Sequence, residues 1–332
     1  MMEPVLSYIR YIRDVRRYSD RTVALYEHAL NDYVTFVSRD GEPDSDQELL
    51  KAFNVSEIRS YMVHMLDSDP PMSPRTVNLH LSALSGFCTY MMKTGVLKSN
   101  PVKLVSKPKV PKRVPQFYAK ESMDEYFQTS SHVLDRDSFE KLLQEWDTDS
   151  GRDLYDSILE RMIISALYSL GVRRSELIGL RVGDVDFGRN LVKVRGKGDK
   201  MREIPLVASL SQEILLYLKA VETMCGRIRS LEEPLFVTYT GIQLYPKYVD
   251  RAVKSALGGV KSIKGRKSPH VLRHSLATEL MNGDTGLNSI KELLGHSSLA
   301  ATQVYTHSSI ARLKDSYKRA HPRAKNGGNY GD

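Results

Sequence analysis

Apolar residues recur at helical spacing through the first hundred positions. Val23, Tyr26, Leu30, Tyr33, Val34 and Val37 form one stripe behind Ser19, a residue suited to capping a helix N-terminus. Val55, Ile58, Tyr61, Met62 and Met65 form a second. The third opens at Ser73-Pro74, an N-cap with Pro at the first helical position. It carries Val77, Leu81, Leu84, Phe87, Cys88 and Met91 and stops at Gly95. Core packing explains these stripes, and Arg75, Asn78, His80 and Lys93 are expected on the polar faces.

The pattern breaks between 101 and 117, where Pro101, Pro108, Pro111 and Pro115 argue against helix. Lys103, Lys107, Lys109, Lys112 and Arg113 stand here with no acidic residue among them, as in a solvated tether or a strap along phosphates. Residues 118–152 are acidic, and Phe139, Leu142, Leu143 and Trp146 predict one amphipathic helix. Ile158, Met162, Ala166 and Leu170 then predict a buried helix ending at Gly171.

The period changes to two at Leu191-Val192-Lys193-Val194. Gly196-Lys197-Gly198-Asp199-Lys200 reads as a tight turn, and Arg202-Glu203-Ile204-Pro205-Leu206 as the returning strand. Helices are predicted over 212–224 and 246–257, a short strand over 234–237, and a last apolar stripe at Ile310, Leu313 and Tyr317. The fold class is therefore mainly α with a small β-sheet (α+β).

Composition narrows the class. A chain of 332 residues can hold two domains. A formal net charge of +8 permits a polyanionic partner such as nucleic acid without requiring one. Two cysteines, Cys88 and Cys225, exclude a disulfide scaffold and fit a reducing cytosol. No apolar run reaches membrane-spanning length, and Met1-Met2-Glu3-Pro4 does not open a signal peptide. No membrane partner is expected. The hairpin lacks the G-x-x-x-x-G-K-[ST] pattern of a nucleotide-binding loop.

Candidate chemistry concentrates between positions 270 and 305. His270-Val271-Leu272-Arg273-His274 places His270 and Arg273 on one helical face. Leu293-Leu294-Gly295-His296 puts a His just past a glycine suited to ending a helix. Tyr305, in Gln303-Val304-Tyr305-Thr306-His307, lies nine positions beyond His296. Converging cationic donors suit a phosphate, and a Tyr beside them is a candidate nucleophile. Zinc is disfavoured, because there is no H-E-x-x-H and both cysteines are distant in sequence. A single His or Tyr in such a stretch is usually a packing or surface residue; the joint pattern carries the argument.

That joint pattern, H-x-x-R-H then L-L-G-H then Y-T-H, resembles the C-terminal signature of the tyrosine recombinases, specifically the Xer group. The resemblance extends to Gly171-Val172-Arg173-Arg174-Ser175-Glu176-Leu177, the motif of the first catalytic Arg. It implies Arg173, Lys197, His270, Arg273, His296 and the nucleophile Tyr305 as catalytic residues, with Glu176 orienting the cations. Lys200 is a weaker alternative to Lys197 by hairpin position. Arg174 and Arg181 are expected in surface ion pairs. Arg75 and the basic residues Lys107, Lys109, Lys112 and Arg113 are the candidate DNA contacts.

The implied organisation is a helical core-binding domain over 1–100, a basic linker over 101–117, a catalytic domain over 118–320 and a flexible tail over 321–332. The two domains would form a C-shaped clamp on DNA. The acidic stretch reads as an insertion, since the family usually needs fewer residues there. Asn282-Gly283-Asp284-Thr285-Gly286 departs from the family's usual turn without touching a catalytic position.

The implied activity is metal-independent strand breakage and rejoining through a 3′-phosphotyrosyl intermediate, with no cofactor. Implied partners are a double-stranded recombination site, a homo- or heterotetramer on two duplexes, a second Xer-type recombinase and a DNA translocase, in a nucleoid-associated cytoplasmic setting. An integrase of a mobile element shares the motifs. A type IB topoisomerase-like enzyme and a catalytically silent DNA-binding protein are more distant alternatives.

Overall fold

The computed structural model describes residues 2–38, 45–111, 116–130, 136–196, 199–282 and 293–294. The chain divides into two compact units, Met1–Arg113 and Val114–Asp332. Among the described residues the structure is mostly helical with one three-stranded antiparallel sheet.

The first unit is built from α1 (Glu3–Arg10), α2 (Asp20–Val37), α3 (Asp46–Ala52), α4 (Val55–Leu66) and α5 (Pro74–Lys93). The expected caps form. Ser19 accepts from the Thr22 amide at 3.3 Å and Ser73 from the Thr76 amide at 3.1 Å. Each satisfies one of the amides that a helix start leaves without a partner. Val23, Leu30, Tyr33, Ile58, Tyr61, Leu81, Leu84 and Phe87 make the core. The chain stays with this unit past Pro101: Asn100 caps a short 3-10 turn, Pro101–Leu104, and Val102 and Val105 are buried in the same core.

His80 corrects the polar-face expectation. It is buried, its Nδ1 lies 2.9 Å from the Tyr61 hydroxyl, and burial lowers its pKa against the opposing pull of Asp32. Its position between Val77 and Leu84 already falls on the apolar stripe, and the Tyr61 hydroxyl supplies the polar partner that burial requires.

The second unit starts with α6 (Lys120–Thr129) and α7 (Arg136–Glu145), followed by α8 (Asp149–Leu170). The acidic stretch thus holds two helices, not one. Its apolar residues were too sparse to show α6, yet Met123, Tyr126 and Leu142 are buried in the main core. Tyr118, just before α6, donates its amide to Ser275 Oγ at 2.7 Å and its hydroxyl to the Arg266 carbonyl at 2.9 Å. The stretch is part of the domain's core rather than an appendage.

After α8 come α9 (Arg174–Ile178), β1 (Val185–Asp186), β2 (Leu191–Arg195) and β3 (Met201–Pro205), in sheet order β1-β2-β3. Then follow α10 (Ala208–Cys225), α11 (Pro246–Ala256) and α12 (Pro269–Asn282). The strand expected over 234–237 is absent. Only isolated bridges occur there, Arg181 with Pro234 and Val237 with Gln243. Helices α11 and α12 pack on α8, which is almost continuously buried from Ile158 to Leu170.

Candidate active site

The site begins where α8 ends. Gly171 takes φ +59°, a left-handed conformation that side chains disfavour. A Cβ there would stand 2.8 Å from Leu276 Cδ2 and 3.0 Å from Leu294 Cδ2. The tight turn places Arg173 at the N-cap of α9. Glu176, three residues on, reaches back to accept the Arg173 amide at 2.8 Å and its Nη1 at 2.6 Å.

Glu176 is buried and gathers two further arginines. Arg202 on β3 grips it with both terminal nitrogens, Nη1 to Oε1 at 3.1 Å and Nη2 to Oε2 at 2.7 Å. Arg273 on α12 brings Nη1 within 3.8 Å of Oε2. Arg273 also donates to the carbonyls of Gly171 and Leu294, while Arg202 Nε donates to the Leu293 carbonyl at 2.9 Å. Two neighbouring carbonyls are therefore held by arginines from two different elements.

The electrostatics follow from this sharing. Burial pushes the Glu176 carboxyl up, but the bonds from Arg202 and Arg173 outweigh it and hold the group down at about 2. Burial, reinforced by the repulsion of Arg173 and Arg202, lowers Arg273 to about 10. Glu176 thus shares its one negative charge among the guanidinium groups of Arg173, Arg202 and Arg273. Arg173 keeps 33% of its side chain exposed against 9% for Arg273 and is the more accessible of the two to a ligand. His270 is exposed in the first turn of α12.

The structure thus brings together Arg173, Glu176 and Arg273 and adds Arg202, which strand periodicity alone does not single out. The signal was available: in a period-two strand Arg202 shares the inward face with Ile204, and an inward arginine needs a buried acid. Arg174 pairs with Asp250 and Arg181 with Glu232, as expected. Lys197, His296 and Tyr305 lie outside the described residues. The hairpin that carries Lys197 is described up to Gly196, whose amide donates to the Lys200 carbonyl at 2.8 Å. In the first unit Arg75, Lys107 and Lys109 are exposed; Lys112 and Arg113 lie outside the described residues. Among the described residues no cluster of three metal-ligating side chains occurs, and no helix is long and apolar enough to cross a membrane.

Residues 132–312 match the phage integrase family, and residues 5–95 match the phage integrase N-terminal SAM-like domain. The chain belongs to the phage integrase family. It is a tyrosine recombinase of the Xer type, an enzyme that acts on DNA. The "Tyrosine recombinase XerC" of Chlorobaculum parvum is 34% identical over 97% of this chain and 94% of its own length. That of Bacillus subtilis is 28% identical over 96% and 95%. Among solved structures, the Tn1549 transposon integrase in complex with transposon right end DNA has a TM-score of 0.61 at 18% identity, covering 98% of both chains. The XerH site-specific recombinase bound to its difH substrate has a TM-score of 0.59 at 19% identity, covering 94% of this chain and 83% of its own. At these identities the structural likeness speaks for the recombinase fold. The family match spans the acidic stretch from residue 132 and continues past Tyr305.

Proposed function

We propose that this recombinase cuts and rejoins DNA at a specific site through Tyr305, in an Xer-like role such as resolving chromosome or plasmid multimers. The observation that carries the reading is the convergence of Arg173 and Arg273, a hundred positions apart, on the single carboxylate of Glu176. Likeness to XerC proteins along nearly the whole chain favours this role over integration of a mobile element.

In the proposed reaction Arg173 and Arg273 bind the non-bridging oxygens of one phosphodiester, forked donors offsetting the charge that builds up at phosphorus. His270 and His296 donate hydrogen bonds or assist loss of the Tyr305 proton. The Tyr305 oxygen forms a bond to phosphorus, the bond to the 5′-oxygen breaks, and Lys197 protonates that oxygen. The 3′-phosphotyrosyl link keeps the phosphodiester energy, so a 5′-hydroxyl from a partner duplex can attack it without ATP. Strand exchange needs two duplexes and four protomers. A second Xer-type recombinase and a DNA translocase fit this role as partners. Arg75 and the basic segment through Lys107, Lys109, Lys112 and Arg113 contact the DNA backbone.

The test is covalent trapping. DNA recovered from the cross-linked wild-type protein supplies the site, and a nicked duplex built on it prevents religation. Wild type should form a denaturation-resistant adduct. Tyr305→Phe should bind the duplex and form none. An adduct that persists in the variant, mapped by peptide sequencing to Tyr317 or elsewhere, refutes the assignment.

A further inference from the structure

Arg202 has no role in the mechanism above, yet it is buried in the site and tied there to both Glu176 and the Leu293 carbonyl. It sits on β3 opposite Val194, facing inward. Both terminal nitrogens hold Glu176, which in turn holds the backbone and side chain of Arg173. Its Nε holds the Leu293 carbonyl, three residues before His296. Gly196, the residue before Lys197, lies against the same guanidinium: a methyl on it would stand 3.4 Å from Nη1.

We propose that Arg202 is a positioning residue of the recombination reaction, locking the root of the β2–β3 hairpin to Glu176 so that Lys197 stands in register with the phosphate held by Arg173. The inference rests on the recombinase reading and on Lys197 as proton donor. A simpler requirement for stability needs neither a fork nor this location. Any apolar side chain of similar volume could fill an inward strand position, and replacing a buried ion pair by well-packed apolar groups is often neutral. A planar fork, by contrast, fixes both the distance and the orientation of the two elements it joins. A lysine at the same place would keep the charge and lose that orientation. Misplacement by an ångström or so at a reacting centre costs about 10²-fold in rate.

The bridging oxygen provides a readout that loss of stability alone does not move. A departing 5′-alkoxide needs a proton as its bond breaks, whereas a 5′-thiolate does not. Arg202→Lys and Arg202→Gln are compared with wild type, with Lys197→Ala and with Arg229→Lys. Arg229 is a matched control, an equally buried arginine that holds the Leu235 carbonyl at 3.1 Å. Each variant is checked for folding by circular dichroism and for duplex affinity. Adduct formation is then timed on the nicked duplex with a 5′-oxygen and with a bridging 5′-sulfur.

At least one Arg202 variant should fold and bind as wild type. It should lose about 10²-fold in cleavage of the oxygen substrate and recover most of that loss with sulfur. Lys197→Ala should behave the same way, and Arg229→Lys should show the wild-type ratio of the two rates. The proposal is overturned if folded Arg202 variants cleave the oxygen substrate normally, or if sulfur leaves their loss unchanged while it rescues Lys197→Ala. Lack of sulfur rescue for Lys197→Ala removes that lysine from the role, and the proposal with it. A wild-type protein that forms no adduct overturns the recombinase reading itself.

Discussion

Arg202 and Glu176 form a two-point contact, with nitrogen–oxygen separations of 3.1 and 2.7 Å, between a strand and the first turn of a helix 26 positions earlier. Because Glu176 also accepts both the amide and the guanidinium of Arg173, the contact couples the hairpin to the candidate phosphate-binding arginine. A carboxylate in this position is structurally costly to lose and chemically costly to protonate.

Glu176→Gln should therefore destabilise the protein by about 3–5 kcal/mol at neutral pH, since it leaves buried guanidinium charge without its partner. The sign with pH follows from the depressed carboxyl. In the folded protein the group titrates near 2, below the 4.5 of an unperturbed Glu. Its stabilisation is complete above that ordinary value and is lost as pH falls toward 2, by on the order of 3 kcal/mol. Urea unfolding at pH 7, 5 and 3 should show the gap between wild type and variant steady down to about pH 5 and narrowing at pH 3. A gap that stays constant to pH 3 contradicts the assignment.

Gly171→Ala tests the turn that delivers Arg173. The added methyl meets Leu276 and Leu294, and the left-handed backbone is strained for alanine. The expected loss is roughly 1–3 kcal/mol in chemical denaturation. Cleavage should fall as well, because the Gly171 carbonyl receives an Arg273 donor. A variant as stable and as active as wild type would show that the turn tolerates either change.

The basic segment is expected to add affinity independent of sequence. Neutralising Lys107, Lys109, Lys112 and Arg113 together should weaken duplex binding and flatten its salt dependence. If each residue contacts one phosphate, the log–log slope falls by about 0.9 for each contact removed. An unchanged slope would mean that the segment only tethers the two units.

Two hairpin lysines compete for the proton-donor role. Lys197→Ala should slow cleavage of ordinary DNA by roughly 10²–10⁴-fold and be rescued by a bridging 5′-sulfur. Arg173→Ala should not be rescued, because its donors act on non-bridging oxygens. Sulfur rescue of Lys200→Ala but not of Lys197→Ala would exchange the two assignments.

Local rules made much of this protein legible from its residues alone. The caps at Ser19 and Ser73, the stop at Gly171 and the stripes of α2, α4, α5 and α8 each depend on neighbours within about four positions, and the hairpin on two strands joined by one short turn. Backbone geometry imposes those spacings, so periodicity reports them. The compound motif around Arg173, His270, Arg273, His296 and Tyr305 likewise pointed to the family from residue order alone. What periodicity could not reveal is which distant positions share a partner. Glu176 gathers arginines at 173, 202 and 273, and Tyr61 accommodates a buried His80; both depend on how separate elements pack. Helix α6 escaped for a related reason: its few apolar residues, Met123 and Tyr126, give a weak stripe whose burial comes from the rest of the second unit's core. The sequence determined the elements and the chemistry available to them. Which charges meet depends on how those elements pack, because the energy of a buried ion pair depends on a distance that the order of residues does not contain.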